Sequence, residues 1–231
     1  MPALKNATVV VIHGAWADGS SWEPVIRRLQ NDGFNVVAAP IPLTSLSEDA
    51  AALRRTIART EGPLIVAGHA YAGAVVGTAA DERVRALVFV AALAPDDGET
   101  VADVFYRDES HPDAPRLVPD VDGFIWMPDE GFAKAFAQNA TAEQIALCRA
   151  VQRPISVRCI QEPIASPAWK TTPAWYLLAE EDRMINPQTQ RFMAERMKAT
   201  IRSFAVDHTP LLTAPEKVVD IIREAAQTTL I

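Results

Sequence analysis

The chain has 231 residues, of which 49% are hydrophobic and 22% charged, a composition typical of one folded globular domain and not of a disordered chain. Lysine and arginine total 22 against 29 aspartate and glutamate residues, so the net charge is −7. An acidic surface repels polyanions, and the sequence therefore predicts no nucleic-acid partner. No apolar run is long enough to span a bilayer, and the N-terminus lacks a signal-peptide pattern. We therefore expect a cytoplasmic protein without a membrane partner.

The two cysteines, Cys148 and Cys159, are too few for a disulfide framework and lack metal-ligand spacing. They are interpreted as two free thiols in a reducing compartment, although one disulfide between them stays open. The glycines lack the spacing of a dinucleotide or phosphate loop, and the four histidines do not form metal-ligand pairs. The sequence therefore predicts no cofactor and no metal. Its expected partner is a small-molecule substrate or ligand, and a homodimer is left open.

Short apolar runs alternate with helical patterns along the chain. The first run, Thr8–Ile12, is β-branched at every position, as is typical of a strand buried on both faces of a parallel sheet. Ser20 and Glu23 are spaced as a capping box for the first helix, with Pro24 in its first turn. Strands are predicted over residues 8–12, 34–39, 63–67, 84–91, 174–179 and 200–206, and helices over 20–30, 47–60, 71–80, 187–198 and 215–227. This alternation predicts an α/β fold with a mostly parallel, doubly wound sheet of about six strands.

The strand-helix rhythm breaks between residues 95 and 172. Helical patterns recur there over residues 130–137 and 142–151, but no regular repeat does. We interpret residues 1–94 and 173–231 as the α/β core, and residues 95–172 as a small helical cap inserted into what is a single domain overall.

The loops that follow the strands are the natural place for a site, because ligands bind beyond the carboxyl ends of the strands in open α/β sheets. After the first strand comes His13-Gly14-Ala15-Trp16. A turn of this kind leaves backbone N–H groups free to stabilise a developing oxyanion. The alternative that this loop leaves open is that the glycines merely turn the chain.

A second loop reads Gly68-His69-Ala70-Tyr71-Ala72-Gly73. Its small residues flank a centre between a strand and a helix, which is the pattern of a nucleophile elbow. The central position should be serine, cysteine or aspartate, but it is Ala70, whose methyl group cannot attack a carbonyl. An ordinary strand-to-helix turn is the alternative interpretation.

Two late loops carry a carboxylate and an imidazole. Asp182 follows one strand and His208 the next, so both open on the same edge of a parallel sheet. A carboxylate in that position can hold a histidine in the tautomer that a general base needs. Taken singly, Asp182 is better explained as a helix cap and His208 as an exposed loop residue.

Together these loops resemble the α/β-hydrolase family, in particular small bacterial esterase-like members related to the plant esterase and hydroxynitrile lyase branch. The resemblance covers nearly the whole chain and rests on residues 11–16, 68–73, 182–187 and 208–212. It implies Ala70 at the nucleophile position, Asp182 as the acid, His208 as the base, and the N–H groups of Ala15 and Tyr71 as oxyanion donors. The substrate pocket is predicted to include His13, Trp16 and, from the cap, Trp126.

The missing serine leaves three functional hypotheses. The first is a carboxylesterase for a small or medium apolar ester, with Ala70 either a replacement of serine or a natural loss. The second is a serine-independent acid/base enzyme of lyase or isomerase type that uses Asp182 and His208. The third is a non-catalytic protein that binds a small molecule. Ser20 and Ser21 are interpreted as helix caps and not as substitute nucleophiles.

Overall fold

The computed structural model describes residues 6–230. The strands are β1 Thr8–Ile12, β2 Asn35–Ala39, β3 Leu64–His69, β4 Val84–Val90, β5 Phe124–Ile125, β6 Ile155–Ser156, β7 Ala174–Ala179 and β8 Thr200–Phe204. Six of them form one sheet in the order β2-β1-β3-β4-β7-β8, and all neighbours in it run parallel. The predicted six-stranded parallel sheet is confirmed.

Helices cover both faces of this sheet. They are α1 Glu23–Asn31, α2 Leu46–Ile57, α3 Ala72–Val76, α4 Val101–Phe105, α5 Asp129–Gly131, α6 Ala142–Val151, α7 Val157–Gln161, α8 Pro187–Arg196, α9 Pro210–Thr213 and α10 Pro215–Leu230. Side chains of α1 and α10 share one apolar core with one face of the sheet. Side chains of α2, α3 and α8 share the other core, which extends into the segment between β4 and β7.

The burial of the central strands explains why their sequences are continuous apolar runs. All five residues of β1 are buried, as are all six of β3 and of β7. The edge strands β2 and β8 are partly exposed and carry polar residues. Burial on both faces removes the alternation of polar and apolar residues that a half-exposed strand shows.

The segment between β4 and β7 holds α4 to α7 and a small antiparallel pair formed by β5 and β6. The helix predicted over residues 142–151 is confirmed as α6. The stretch predicted as a helix over 130–137 is instead α5 followed by a π-helical turn, Phe132–Phe136. The division of the chain into core and cap at residues 95 and 172 stays a prediction.

Two local predictions about helix ends are wrong. The chain forms a 3-10 turn at Gly19–Trp22 before α1, and Asp18 accepts the N–H of Ser20 at 2.8 Å. Asp18 therefore caps this turn, and α1 begins at Glu23 without a serine cap. The helix predicted over 71–80 ends at Val76, because the carbonyl of Gly77 turns away to accept the N–H of Ala168.

Cys148 and Cys159 are both free thiols, as predicted. Within residues 6–230, no helix has the length and apolar character needed to cross a membrane.

Candidate active site

The turn between β3 and α3 has the geometry of a nucleophile elbow. Ala70 sits at its apex with a φ of 52°, a left-handed conformation that costs a residue with a side chain about 1 kcal/mol or more. A Cβ atom on Gly73 would lie 2.3 Å from the carbonyl oxygen of Leu93, so only glycine allows this close approach. The strained turn is thus present in full, and it presents a methyl group where a nucleophile would stand.

The loop after β1 lies across the pocket from this elbow. Trp16 has a φ of 57°, and its indole N–H donates to the carbonyl oxygen of Ile125 at 2.9 Å. Its backbone N–H donates to the backbone carbonyl oxygen of Arg153 at 3.1 Å. The loop is therefore held to the segment between β4 and β7. The N–H groups of Ala15 and Tyr71 donate to no backbone or side-chain group among residues 6–230. Both residues line the pocket, which leaves two amides available to an oxyanion.

Asp182 and His208 lie in contact at the end of β7 and β8. Oδ2 of Asp182 is 2.8 Å from Nδ1 of His208, while Oδ1 accepts the N–H groups of Met184 and Ile185 at 2.7 and 2.9 Å. Nδ1–H therefore donates to the carboxylate, which leaves Nε2 as the acceptor. In the described part of the chain Nε2 has no hydrogen-bond partner, and His208 lines the pocket. A histidine oriented in this way is suited to general-base chemistry.

Two further residues hold this pair in place, and the sequence analysis assigned neither a role. Gln190 of α8 is fully buried and donates to Oδ2 of Asp182 at 2.7 Å. His69 donates from Nε2 to the backbone carbonyl of His208 at 2.7 Å. Burial, reinforced by the neighbouring His208, lowers the pKa of His69 to about 3, so its ring stays neutral. We name Asp182, His208, Gln190 and His69 the His208 cluster.

The pocket between these elements is narrow: the centre of a water-sized molecule can occupy a volume of about 60 Å³ in it. No acidic residue, lysine or arginine is found among its described lining residues. These residues are Ala15, Trp16, Ala70, Tyr71, Leu93, Val101, Ala102, Phe105, Tyr106, Leu117, Ile125, Phe136, Ile155, Ile160, Met184, Ile185 and His208. The lining favours an uncharged, largely apolar ligand.

Two residues predicted for the pocket are placed elsewhere. Trp126 is 50% exposed, and its indole N–H donates to Asp120 at 3.2 Å. The pocket is lined instead by the preceding residue, Ile125, which ends β5. The prediction for Trp126 is therefore wrong. His13 is buried behind the loop with Nδ1 at 2.9 Å from the Gly14 carbonyl, and it is absent from the described pocket lining.

Ser20 and Ser21 do not take the place of the missing nucleophile. The hydroxyls of both donate to Asp18, and neither residue lines the pocket beside Ala70. Among residues 6–230, no group of three or more histidine, cysteine, aspartate or glutamate side chains is arranged to hold a metal ion.

Comparison with known proteins agrees with this geometry. The α/β-hydrolase family, described as "Alpha/beta hydrolase family", matches residues 9–221. A curated relative, the α/β-hydrolase nvfD of Aspergillus novofumigatus, is 24% identical across 96% of this chain and 97% of its own length. The structure of polyneuridine aldehyde esterase has a TM-score of 0.82 at 16% identity and covers 96% of this chain and 99% of that one. A variant of tomato methylketone synthase I has a TM-score of 0.84 at 15% identity, with coverage of 97% and 99%. The family match extends over most of the chain, which therefore belongs to the α/β-hydrolase family.

Proposed function

We propose that the chain binds a small or medium apolar ester at a carboxylesterase-type site in which Ala70 occupies the nucleophile position. One observation carries this proposal: Ala70 keeps the left-handed elbow conformation, φ 52°, in a pocket that His208 also lines. Ala15, Tyr71 and His208 line the same pocket as that methyl group, which supports a site of the acyl-transfer type. Similarity to polyneuridine aldehyde esterase, which is an esterase by name, supports the same class of reaction.

A hydroxyl in place of one Ala70 hydrogen would complete the mechanism. His208 would take its proton through Nε2, the serine oxygen would attack the ester carbonyl, and the Ala15 and Tyr71 amides would hold the oxyanion. Water would then release the acyl group. Without the hydroxyl, the chain binds the ester but forms no acyl-enzyme.

The experiment compares the chain as it stands with Ala70→Ser on aryl esters of increasing acyl length. We expect Ala70→Ser to raise kcat/KM by at least ~10³-fold, because the loss of a triad serine costs up to about 10⁶ in kcat. Ala70→Ser combined with His208→Ala is the matched control and should return to the background rate. A folded Ala70→Ser variant that hydrolyses none of these esters would overturn the proposal.

The intact His208 cluster favours a second candidate, acid/base catalysis without a covalent intermediate. Asp182 accepts four hydrogen bonds, and Nε2 of His208 remains free to take a proton from carbon beside a carbonyl. The two loop amides would stabilise the enolate that results. Similarity to methylketone synthase I, a synthase by name, agrees with a non-hydrolytic reaction.

This candidate is tested with the chain as it stands. Apolar ketones and esters would be incubated in heavy water, and exchange of the proton beside the carbonyl followed by NMR. We expect exchange to depend on His208 and to disappear in His208→Ala. Exchange that is absent, or that His208→Ala leaves unchanged, would eliminate this candidate and favour a site that only binds.

A further inference from the structure

Asp49 is a buried carboxyl group that the Asp182–His208 pair does not use. It lies on α2 and is 0% exposed. Its Oδ1 accepts the N–H of Leu43 at 2.8 Å, and its Oδ2 accepts the phenol of Tyr71 at 2.7 Å. The thiol of Cys159 also donates to Oδ2, at 3.7 Å. We name Asp49, Tyr71, Cys159 and the N–H of Leu43 the Asp49 cluster.

Each donor in this cluster comes from a different segment of the chain. Tyr71 follows Ala70 directly in the elbow. Leu43 has a φ of 61°, and its carbonyl accepts the N–H of Ser156 in β6 at 2.9 Å. Cys159 belongs to α7, next to Ile160, which lines the pocket. Asp49 therefore fastens the elbow, the loop after β2 and the segment between β4 and β7 to one buried point.

The ionised form of Asp49 satisfies all three donors at once. A protonated carboxyl would turn one acceptor oxygen into a donor and compete with the phenol or the thiol. Burial raises the pKa of Asp49 to about 6. Burial together with Asp49 also raises the pKa values of Tyr71 and Cys159, so both stay protonated donors. The other charges near the cluster are Glu48 on α2, which further raises the pKa of Asp49, and Glu162 after α7, which acts on Cys159.

We propose that Asp49 is a positioning residue that, as a carboxylate, holds Tyr71 so that its backbone N–H faces the oxyanion beside Ala70. The Tyr71 ring is clamped at its hydroxyl, and the backbone of the same residue supplies one of the two free amides of the pocket. A change at Asp49 is therefore transmitted over one residue to the reacting carbonyl. This inference rests on the proposed function, because an oxyanion donor matters only where a carbonyl compound reacts.

The kinetic test uses Asp49→Asn, Tyr71→Phe and their combination, each in the Ala70→Ser background. We expect each single variant to lower kcat for aryl esters about tenfold, less than the loss of a whole oxyanion donor, and to leave KM within about twofold. Because both variants break one contact, the combination should also lose only about tenfold. Glu48→Gln, the exposed neighbour on the same helix, is the matched control and should keep the parent kcat.

A second measurement needs no turnover. In the chain as it stands, the backbone amide resonance of Tyr71 would be followed by NMR across the pH at which Asp49 titrates, about 6. The resonance should move in the parent and in Glu48→Gln, and stay fixed in Asp49→Asn. Movement that persists in Asp49→Asn, an unchanged kcat in a folded single variant, or losses that multiply in the combination would overturn the positioning role. If Ala70→Ser hydrolyses nothing, the proposed function fails alone, and the NMR result still decides the role of Asp49.

Discussion

The pocket is held between two buried carboxylates whose surroundings differ. Asp182 lies beside an imidazole that has one nitrogen open to the pocket. Asp49 lies beside a phenol and a thiol, both weaker acids than itself. A carboxylate next to His208 can stabilise a positive charge that forms there during a proton transfer. A carboxylate among neutral donors has no proton to exchange with a substrate, and its contribution is geometric.

The two clusters also respond in opposite ways to burial. In the His208 cluster, burial keeps His69 neutral and lowers its pKa to about 3. In the Asp49 cluster, burial opposes the charge and raises the pKa of Asp49 to about 6. The same physical cause, loss of hydration around a charge, therefore acts in opposite directions of pH. It makes the His208 cluster less stable in acid, where His69 would be charged, and the Asp49 cluster less stable in base, where Asp49 is charged.

The largest expected effect comes from a substitution that disrupts the His208 cluster. In the Ala70→Ser background, Asp182→Asn should lower kcat by about 10³–10⁴, because an amide no longer holds His208 in the tautomer with Nε2 free. Aryl ester hydrolysis measures this loss. Glu181→Gln, the exposed neighbour, is the control and should retain the parent rate. An Asp182→Asn variant with near-parent kcat would show that the contact between Asp182 and His208 has no catalytic role.

The next effect is the pH dependence of the free energy of unfolding, which should differ in sign between the His208 cluster and the Asp49 cluster. His69 has a lowered pKa, so the unfolded state binds more protons below the ordinary value of 6.5, and stability falls with acid. Asp49 has a raised pKa, so the folded state binds more protons between 3.8 and about 6, and stability rises with acid. Asp49→Asn retains the titration of His69, so its free energy of unfolding should fall by roughly 2 kcal/mol from about pH 7 to about pH 5. His69→Gln retains the titration of Asp49, so its free energy of unfolding should rise by roughly 1 kcal/mol over the same range.

Urea unfolding at the two pH values measures both changes. His69→Gln keeps an N–H that can donate to the His208 carbonyl, so it removes the titration without removing the hydrogen bond. His111→Asn, at an exposed histidine, serves as the control and should follow the parent. If the free energy of unfolding changed with pH in the same direction in Asp49→Asn and His69→Gln, burial would not shift the two pKa values in opposite directions as we assign.

The contrast between the two sides also marks what the sequence could predict. The elbow, Asp182 and His208 lie in loops directly after strands, and parallel strands bring such loops to one edge. The central strands were predictable because burial on both faces demands continuous apolar runs. Asp49 carried no such signal, because its contact with Cys159 spans 110 positions of the chain. Gln190 lies only eight positions from Asp182, but it was missed because a glutamine on a helix acquires its role only when α8 packs against Asp182.

The wrong predictions have local physical causes. The spacing of Ser20 and Glu23 indicated a capping box, but Asp18 accepts the Ser20 N–H, and Glu23 pairs with Arg27 instead. Trp126 was placed in the pocket because aromatic residues often line apolar sites. Its position in the chain does not reveal whether its side chain faces the pocket or the solvent.

A smaller effect separates stability from catalysis on the Asp49 side. Tyr71→Phe deletes one donor to a buried carboxylate, and we expect a loss of about 1–2 kcal/mol in the free energy of unfolding at neutral pH. The loss should shrink in acid, where Asp49 is protonated and needs fewer donors. Urea unfolding of Tyr71→Phe and Tyr106→Phe compares a buried phenol with an exposed one. Equal losses in the two variants would show that the Tyr71 hydroxyl stabilises nothing through Asp49.

The smallest effect concerns Trp126, which belongs to neither cluster. Its side chain is half exposed and its one hydrogen bond goes to Asp120 at the surface, so Trp126→Ala should change KM for aryl esters by less than about twofold in the Ala70→Ser background. Phe105→Ala, which opens the pocket lining itself, should raise KM by about tenfold through lost apolar contact. Both are read from one set of initial rates across acyl lengths. If Trp126→Ala raised KM as much as Phe105→Ala, substrates would extend out of the pocket onto the exposed surface around β5. The binding site would then be larger than the pocket between the His208 cluster and the Asp49 cluster.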